Sequence, residues 1–366
     1  MKIGILGTRG IPNYHGGFEQ FAEVFSVYLK EKGHEVFVYC SNNHPYQEQM
    51  YQGVQLIHCK DPEDRVGTVG QFVYDYYCIK DAQKRNFDIL LQLGYTSNSV
   101  WYKLLPKKAI IITNMDGLEW KRSKYSKAVR KFLKYAEKLA VKSSDYLISD
   151  SIGIQDYLMK TYQKESTYIA YGATLFKNPS EAILNQYQVE PYAYHMLIAR
   201  MEPENSIETI LDGVAASKTN TPFLVVGKHD VNPFGAYLKK KFAKNKNIRF
   251  VGGIYNLEHL NNLRYFSKLY FHGHTVGGTN PSLLEAMASN ALIVAHNNEF
   301  NKAILNTEAF YFSTSEEVSR TLEEVADKSQ WKHYLEANLQ KIERLYDWDI
   351  INEAYVNLME RCYASH

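Results

Sequence analysis

Short, continuously apolar runs alternate with amphipathic helical stretches along this chain, and that pattern constrains its fold more than anything else in the sequence. The first series reads KIGILG (2–7), EVFVYC (35–40), VQLIHC (54–59), DILLQLG (88–94), AIIITN (109–114) and YLISD (146–150). The pattern restarts with HMLIAR (195–200), FLVVG (223–227), IRFVGG (248–253), LYFHGH (269–274) and LIVAH (292–296). Runs that are apolar at consecutive positions, rather than at alternate ones, belong to strands buried on both faces, in parallel sheets covered by helices. Two such series in 366 residues predict two doubly wound α/β domains. The boundary falls near Tyr171-Gly172-Ala173-Thr174, giving domains at 1–172 and 173–347.

Helix signals agree with this division. Gly16-Gly17 opens FEQFAEVFSVYLKEKG, in which Phe18, Phe21, Ala22, Phe25 and Leu29 share one face and Gly33 supplies the stop. Ser282 precedes LLEAMASN, read as a short helix. A formal charge of +2 implies no global attraction to nucleic acid, so a charged partner must be met by a local patch. Cys40, Cys59, Cys78 and Cys362 form no C-x-x-C pair, which argues for buried free thiols rather than zinc or disulfides. The apolar stretch of MKIGILGTRG breaks at Gly7, too short for a signal peptide or a span, so a cytoplasmic location is expected.

In open α/β sheets ligands bind beyond the carboxyl ends of the strands, and the unusual residues of this chain fall there. In GTRGIPNYHGGFEQ, Gly16 and Gly17 at a helix start let backbone N–H groups approach a phosphate; a tight turn needing glycine for geometry alone is the plainer reading. The spacing of Gly7, Gly10 and Gly16 does not match G-x-G-x-x-G. The second run ends in Cys40-Ser41-Asn42-Asn43, with no acid for a ribose hydroxyl, so NAD is disfavoured. Asp116, in NMDGLEWKR, is either a site residue or a helix cap. Arg200 after HMLIA suits a diphosphate, since its fork gives two charge-assisted bonds, or else pairs with Glu202 or Glu204. The segment FHGHTVGGTNPSLLEAMASNALIVAH carries most: Gly277 and Gly278 expose backbone donors, and Thr279, Asn280 and Ser282 lie at the helix start. Glu285, beside the apolar L-L-x-A-M-A face, needs a partner and can accept from a vicinal diol such as ribose.

At these residues the chain resembles the retaining family 4 glycosyltransferases of the GT-B fold, two Rossmann-like doubly wound parallel-sheet domains facing a cleft, and within them the rhamnosyltransferase branch. TRGIPNYHGGFEQF, NMDGLEWKR, ARMEPEN and GHTVGGTNPSLLEAMA carry the likeness in order along the whole chain. The resemblance implies a nucleotide sugar bound in the C-terminal domain, with Glu285 on the ribose, Val251-Gly252-Gly253-Ile254-Tyr255 flanking the base, and a last helix, about 348–366, crossing back to the N-terminal domain. Gly277 stands where the family has a glutamate and Asn205 where it has a lysine, a remodelling consistent with a deoxysugar such as rhamnose. Asp116 stands near the family's usual histidine.

The implied reaction moves a sugar, with rhamnose from dTDP-rhamnose as the leading candidate, to a glycan or lipid-linked saccharide in cell-surface polysaccharide synthesis. The diphosphate would lie against Arg200, Asn205 and the Gly277–Thr279 backbone, with Gly16-Gly17 approaching from the other domain. The leaving phosphate or Asp116 would take the proton. No cofactor or metal is called for if Arg200 and helix dipoles carry the developing charge. The alternatives are a nucleotide-sugar 2-epimerase or hydrolase, using His272 and His274, and a catalytically weak sugar-nucleotide-binding subunit. Residues 121–142 hold nine Lys or Arg against one acid, Glu137, with Val129, Phe132, Leu133, Ala136 and Ala140 at helical spacing. This predicts a helix burying one apolar face, with a basic remainder that is either simply solvated or docked on an anionic membrane.

Overall fold

The computed structural model describes residues 1–14, 16–122, 125–276 and 278–366. The apolar runs form strands in two separate sheets, each in its own compact unit. Unit 1 comprises Met1–Lys121, Tyr125–Tyr171 and Trp348–His366, and unit 2 is built on Gly172–Asp347.

Unit 1 contains β1 (Lys2–Leu6), β2 (Glu35–Ser41), β3 (Met50–Tyr51), β4 (Val54–Cys59), β5 (Ile89–Leu93), β6 (Ile110–Asn114), β7 (Tyr146–Ser149) and β8 (Thr167–Tyr168). They lie in the order β3-β4-β2-β1-β5-β6-β7-β8, parallel throughout except for the β3–β4 pair. Ile3, Ile5, Val38, Ile89, Leu91 and Ile112 are fully enclosed, as strands covered on both faces must be. Phe21, Ala22, Phe25 and Leu29 of the helix Gly17–Glu31 are buried, and the chain turns out at Gly33 with φ 85°. The helix Trp348–Ala364 packs in the same unit: the Tyr355 ring lies 4.7 Å from that of Phe21, and Asn114 donates to the Tyr355 hydroxyl at 2.8 Å.

Unit 2 contains β9 (His195–Ile198), β10 (Phe223–Val226), β11 (Ile248–Gly252), β12 (Leu269–His272), β13 (Ile293–His296) and β14 (Phe310–Phe312), all parallel, in the order β11-β10-β9-β12-β13-β14. Its core joins Leu197, Phe223, Val225, Phe271 and Val294 to Ile210 and Leu211 of the helix Ile207–Ala216.

Three strands exceed the sequence expectation. β3, β8 and β14 have only two or three residues each, too short to display a period. β9 stops at Ile198, so Arg200 stands two residues beyond the strand rather than at its tip. The helix Lys127–Ser143 also departs from expectation. Leu133, Ala136 and Ala140 are buried, but Val129 and Phe132 are exposed at 40% and 36%, beside Tyr135 at 56%. The buried stripe is rotated because it includes the one acid. The Glu137 carboxylate, 1% exposed, accepts from Trp120 Nε1 at 2.9 Å and from the Tyr157 and Tyr162 hydroxyls at 2.6 Å each. Lys134 completes this cluster, 2.9 Å from Glu137 and 4.5 Å above the rings of both Trp120 and Tyr157.

Candidate functional site

Two close backbone approaches shape the carboxyl edge of the unit 2 sheet. At Gly227, φ 152°, a Cβ would stand 2.1 Å from the Ala199 carbonyl oxygen, and at Gly273 one would stand 2.1 Å from that of Asn205. Only glycine lets the loop after β9 lie this close to its neighbours on both sides. That loop is then tied down. Asn205 Nδ2 donates to the Arg200 carbonyl at 2.7 Å, Glu202 N to the same oxygen at 2.8 Å, and Thr275 gives both its N–H and its hydroxyl to the Glu204 carbonyl. The Arg200 side chain is exposed, whereas Asn205 is buried. The amide expected on a diphosphate therefore braces the Arg200 loop.

The segment after β12 supplies the next group of residues. His272 and His274 stack at 4.4 Å between centroids, and His272 is fully buried with neither ring nitrogen hydrogen-bonded among the described residues. Burial pushes His272 well below the usual imidazole range, and burial followed by the charge of Arg200 pushes His274 down to about 3. Both rings are thus neutral at physiological pH. Gly277 lies outside the described residues. Gly278 is half-buried and Thr279 buried. The helix starts at Pro281, with Asn280 as its cap accepting from Ser282 N at 3.0 Å. Ser282 is consequently inside the first turn, not ahead of it, and its hydroxyl turns inward to the Tyr270 hydroxyl at 2.9 Å.

The partner that Glu285 needs is Arg264, a residue the sequence reading missed. Arg264 Nη2 donates to Glu285 Oε2 at 2.6 Å, with the arginine side chain 1% and the glutamate side chain 16% exposed. Nη1 of the same guanidinium donates to Asn261 Oδ1 at 3.0 Å. The carboxylate is therefore held at one oxygen from inside and retains some access to solvent. At the end of β11, Gly252 adopts φ 79° with open space where a Cβ would be. Gly253 follows it, and Tyr255 is 66% exposed.

The remaining candidates belong to unit 1. Asp116 follows β6 in a left-handed conformation, φ 47°, with its N–H donating to Asn114 Oδ1 at 2.9 Å. A short 3₁₀ turn, Glu119–Lys121, comes next. Gly16 is extended, φ −176°, and its N–H donates to Asn13 Oδ1 at 3.2 Å. Gly17 begins the helix, whose first turn carries Glu19, 6% exposed and accepting from Arg9 N at 2.9 Å. A Cβ at Gly16 would lie 3.6 Å from Glu19 Oε2, so a phosphate at Gly16-Gly17 would stand beside that carboxylate. Among the described residues no group of three or more His, Cys, Asp or Glu is placed to hold a metal. The sequence has one Asp-x-Asp spacing, Asp347-Trp348-Asp349, where Trp348 packs on the Tyr171 ring at 5.0 Å.

These two parallel-sheet units define a GT-B fold, the architecture of a large class of glycosyltransferases. The chain is similar over its whole length to the sucrose-phosphate synthase of Thermosynechococcus elongatus, with a TM-score of 0.83, 15% identity and 100% of both chains covered. It is similar to Anabaena HepE in complex with UDP and glucose, with a TM-score of 0.78, 15% identity and coverage of 99% of this chain and 100% of that one. WaaG, a glycosyltransferase involved in lipopolysaccharide biosynthesis, aligns with a TM-score of 0.71 and 14% identity over 98% of this chain and 99% of that one. At such identities the likeness establishes the fold. Residues 1–174 match a domain of unknown function (DUF1972), and no curated protein matches.

Proposed function

We propose that this protein is a retaining glycosyltransferase of the family 4 kind that takes a nucleotide-sugar donor on unit 2. The observation that carries the reading is the set of polar groups gathered at the carboxyl edge of one sheet. Arg200 is exposed on a braced loop, Gly278 and Thr279 precede a helix N-terminus, and Glu285 is held ready by Arg264. In this reading Arg200 and the helix start receive the diphosphate, Glu285 Oε1 accepts from ribose hydroxyls, and Gly252, Gly253 and Tyr255 border the base. The acceptor hydroxyl attacks on the face the nucleotide leaves, so configuration is retained. The leaving phosphate or Asp116 takes its proton.

The sugar is proposed to be rhamnose from dTDP-rhamnose, because Gly277 and Asn205 stand in the sequence where the resembled family has a glutamate and a lysine. The acceptor is proposed to be a glycan or lipid-linked saccharide of cell-surface polysaccharide synthesis. Transfer is favoured over 2-epimerisation because an epimerase needs an acid or base facing the sugar, and His272 is sealed and neutral. Asp116→Asn keeps a residue tolerant of the left-handed backbone and removes the charge. Turnover should fall at least about tenfold, the loss being limited because the leaving phosphate is the alternative proton acceptor. Unaltered turnover in a steady-state assay of nucleotide release would remove Asp116 from the mechanism.

No helix among the described residues is long and apolar enough to cross a membrane. Peripheral attachment is proposed through the exposed side of Lys127–Ser143, where Lys127, Lys131 and Lys138 lie among Val129, Phe132 and Tyr135. Apolar side chains beside lysines suit an anionic lipid surface, each lysine contributing about 1 kcal/mol. Co-sedimentation with phosphatidylglycerol vesicles should be strong at low salt. It should be lost when Lys127, Lys131 and Lys138 become glutamate. Lys134 is excluded from the test because it belongs to the Glu137 cluster. Equal sedimentation of parent and variant would exclude this helix as the anchor.

A further inference from the structure

The family resemblance leaves the diphosphate one cation short, because Asn205 stands where a lysine is expected and is buried against its own loop. The neighbouring strand offers a replacement. β9 and β10 pair in parallel with Ile198 opposite Val226. Two residues beyond each of these stand Arg200 and Lys228, both exposed, past the ends of strands about 4.8 Å apart. The Lys228 ammonium lies 5.2 Å from the centroid of the Tyr255 ring, which belongs to the loop after β11, the strand on the other side of β10. At Gly253 a Cβ would come within 3.2 Å of Lys228 Cγ and 3.3 Å of Tyr255 Cε2, so glycine there leaves room for both side chains. The Tyr255 hydroxyl raises the pKa of the Lys228 ammonium above its ordinary value, and Asp230 adds to the effect.

We propose that Lys228 supplies the second cation of a nucleoside-diphosphate clamp, with Arg200 as the first and Tyr255 beside the base. This rests on the donor site proposed above and names a residue that the sequence motifs do not. The order of the strands, β11-β10-β9-β12, sets out Tyr255, Lys228, Arg200 and then the Gly278–Thr279 turn in sequence along one edge. A base beside Tyr255 would bring its diphosphate within reach of the neighbouring Lys228 and Arg200. The lysine thus comes from the adjacent strand rather than from Arg200's own loop.

The test compares UDP and dTDP with uridine and thymidine by isothermal titration on the full chain. Lys228→Gln should weaken both diphosphates about tenfold to a hundredfold and leave nucleoside binding unchanged, because a charged hydrogen bond is lost while the base contacts remain. Lys228→Arg should recover most of the affinity. The residue is exposed, so the melting temperature without ligand should match the parent in both variants. Diphosphate binding by Lys228→Gln equal to that of the parent overturns the Lys228 assignment alone. A parent that binds neither diphosphate overturns the assignment together with the donor site on which it rests.

Discussion

Replacing Glu285 by alanine is expected to destabilise unit 2 by about 3–5 kcal/mol, because it strands the buried Arg264 guanidinium without its counter-charge. For a unit of this size the melting temperature should fall by about 6–20 °C, measured by calorimetry. Any loss of ligand binding in that variant would therefore mix two effects. Glu285→Gln separates them: its amide oxygen can still accept from Arg264 Nη2, so most of the stability should return while the charge facing a ribose is gone. Adding Arg264→Met to Glu285→Ala should also restore stability, since no unpaired charge then remains. An alanine variant melting within about 2 °C of the parent would mean that the ion pair does not support the fold.

Arg200→Ala is expected to reduce turnover about a hundredfold to a thousandfold while weakening donor binding much less. The reason is that phosphate charge grows as the glycosidic bond breaks, so a guanidinium at the leaving group matters most in the transition state. The side chain is exposed and its carbonyl, not its guanidinium, anchors the loop, so folding should be unaffected. Steady-state kinetics give the answer through the split between kcat and KM. Normal turnover at saturating donor, with affinity alone reduced, would make Arg200 a binding residue only.

What the sequence displayed and what it hid follow from the range of the interactions. Runs such as IIITN and FLVV announce themselves because every position is buried, and the helix stop at Gly33 is a local matter of backbone conformation. Strands of two or three residues, such as Thr167–Tyr168, have no period to detect. The ion pair of Glu285 joins residues 21 apart, so its partner had to await the packing of two helices. Glu137 was visible as the lone acid in a basic stretch, yet nothing local placed it inside, since two of the tyrosines that hold it come from the helix Ile152–Tyr162. Its inclusion turned the helix and brought Val129 and Phe132 to the surface. The brace from Asn205 to the Arg200 carbonyl was equally hidden, because an amide near a strand end reads the same whether it faces ligand or loop.

The central claim is sugar transfer from a nucleotide donor, and one assay addresses it directly. The protein is incubated with dTDP-rhamnose, alone and with a pool of lipid-linked saccharide, and the donor, the free nucleotide and the saccharide are followed together by mass spectrometry and NMR. Release of dTDP is expected to depend on the saccharide, with rhamnose appearing on it and the anomeric configuration of the donor retained. An isomerised or hydrolysed sugar without acceptor, or an inverted linkage, would contradict the claim.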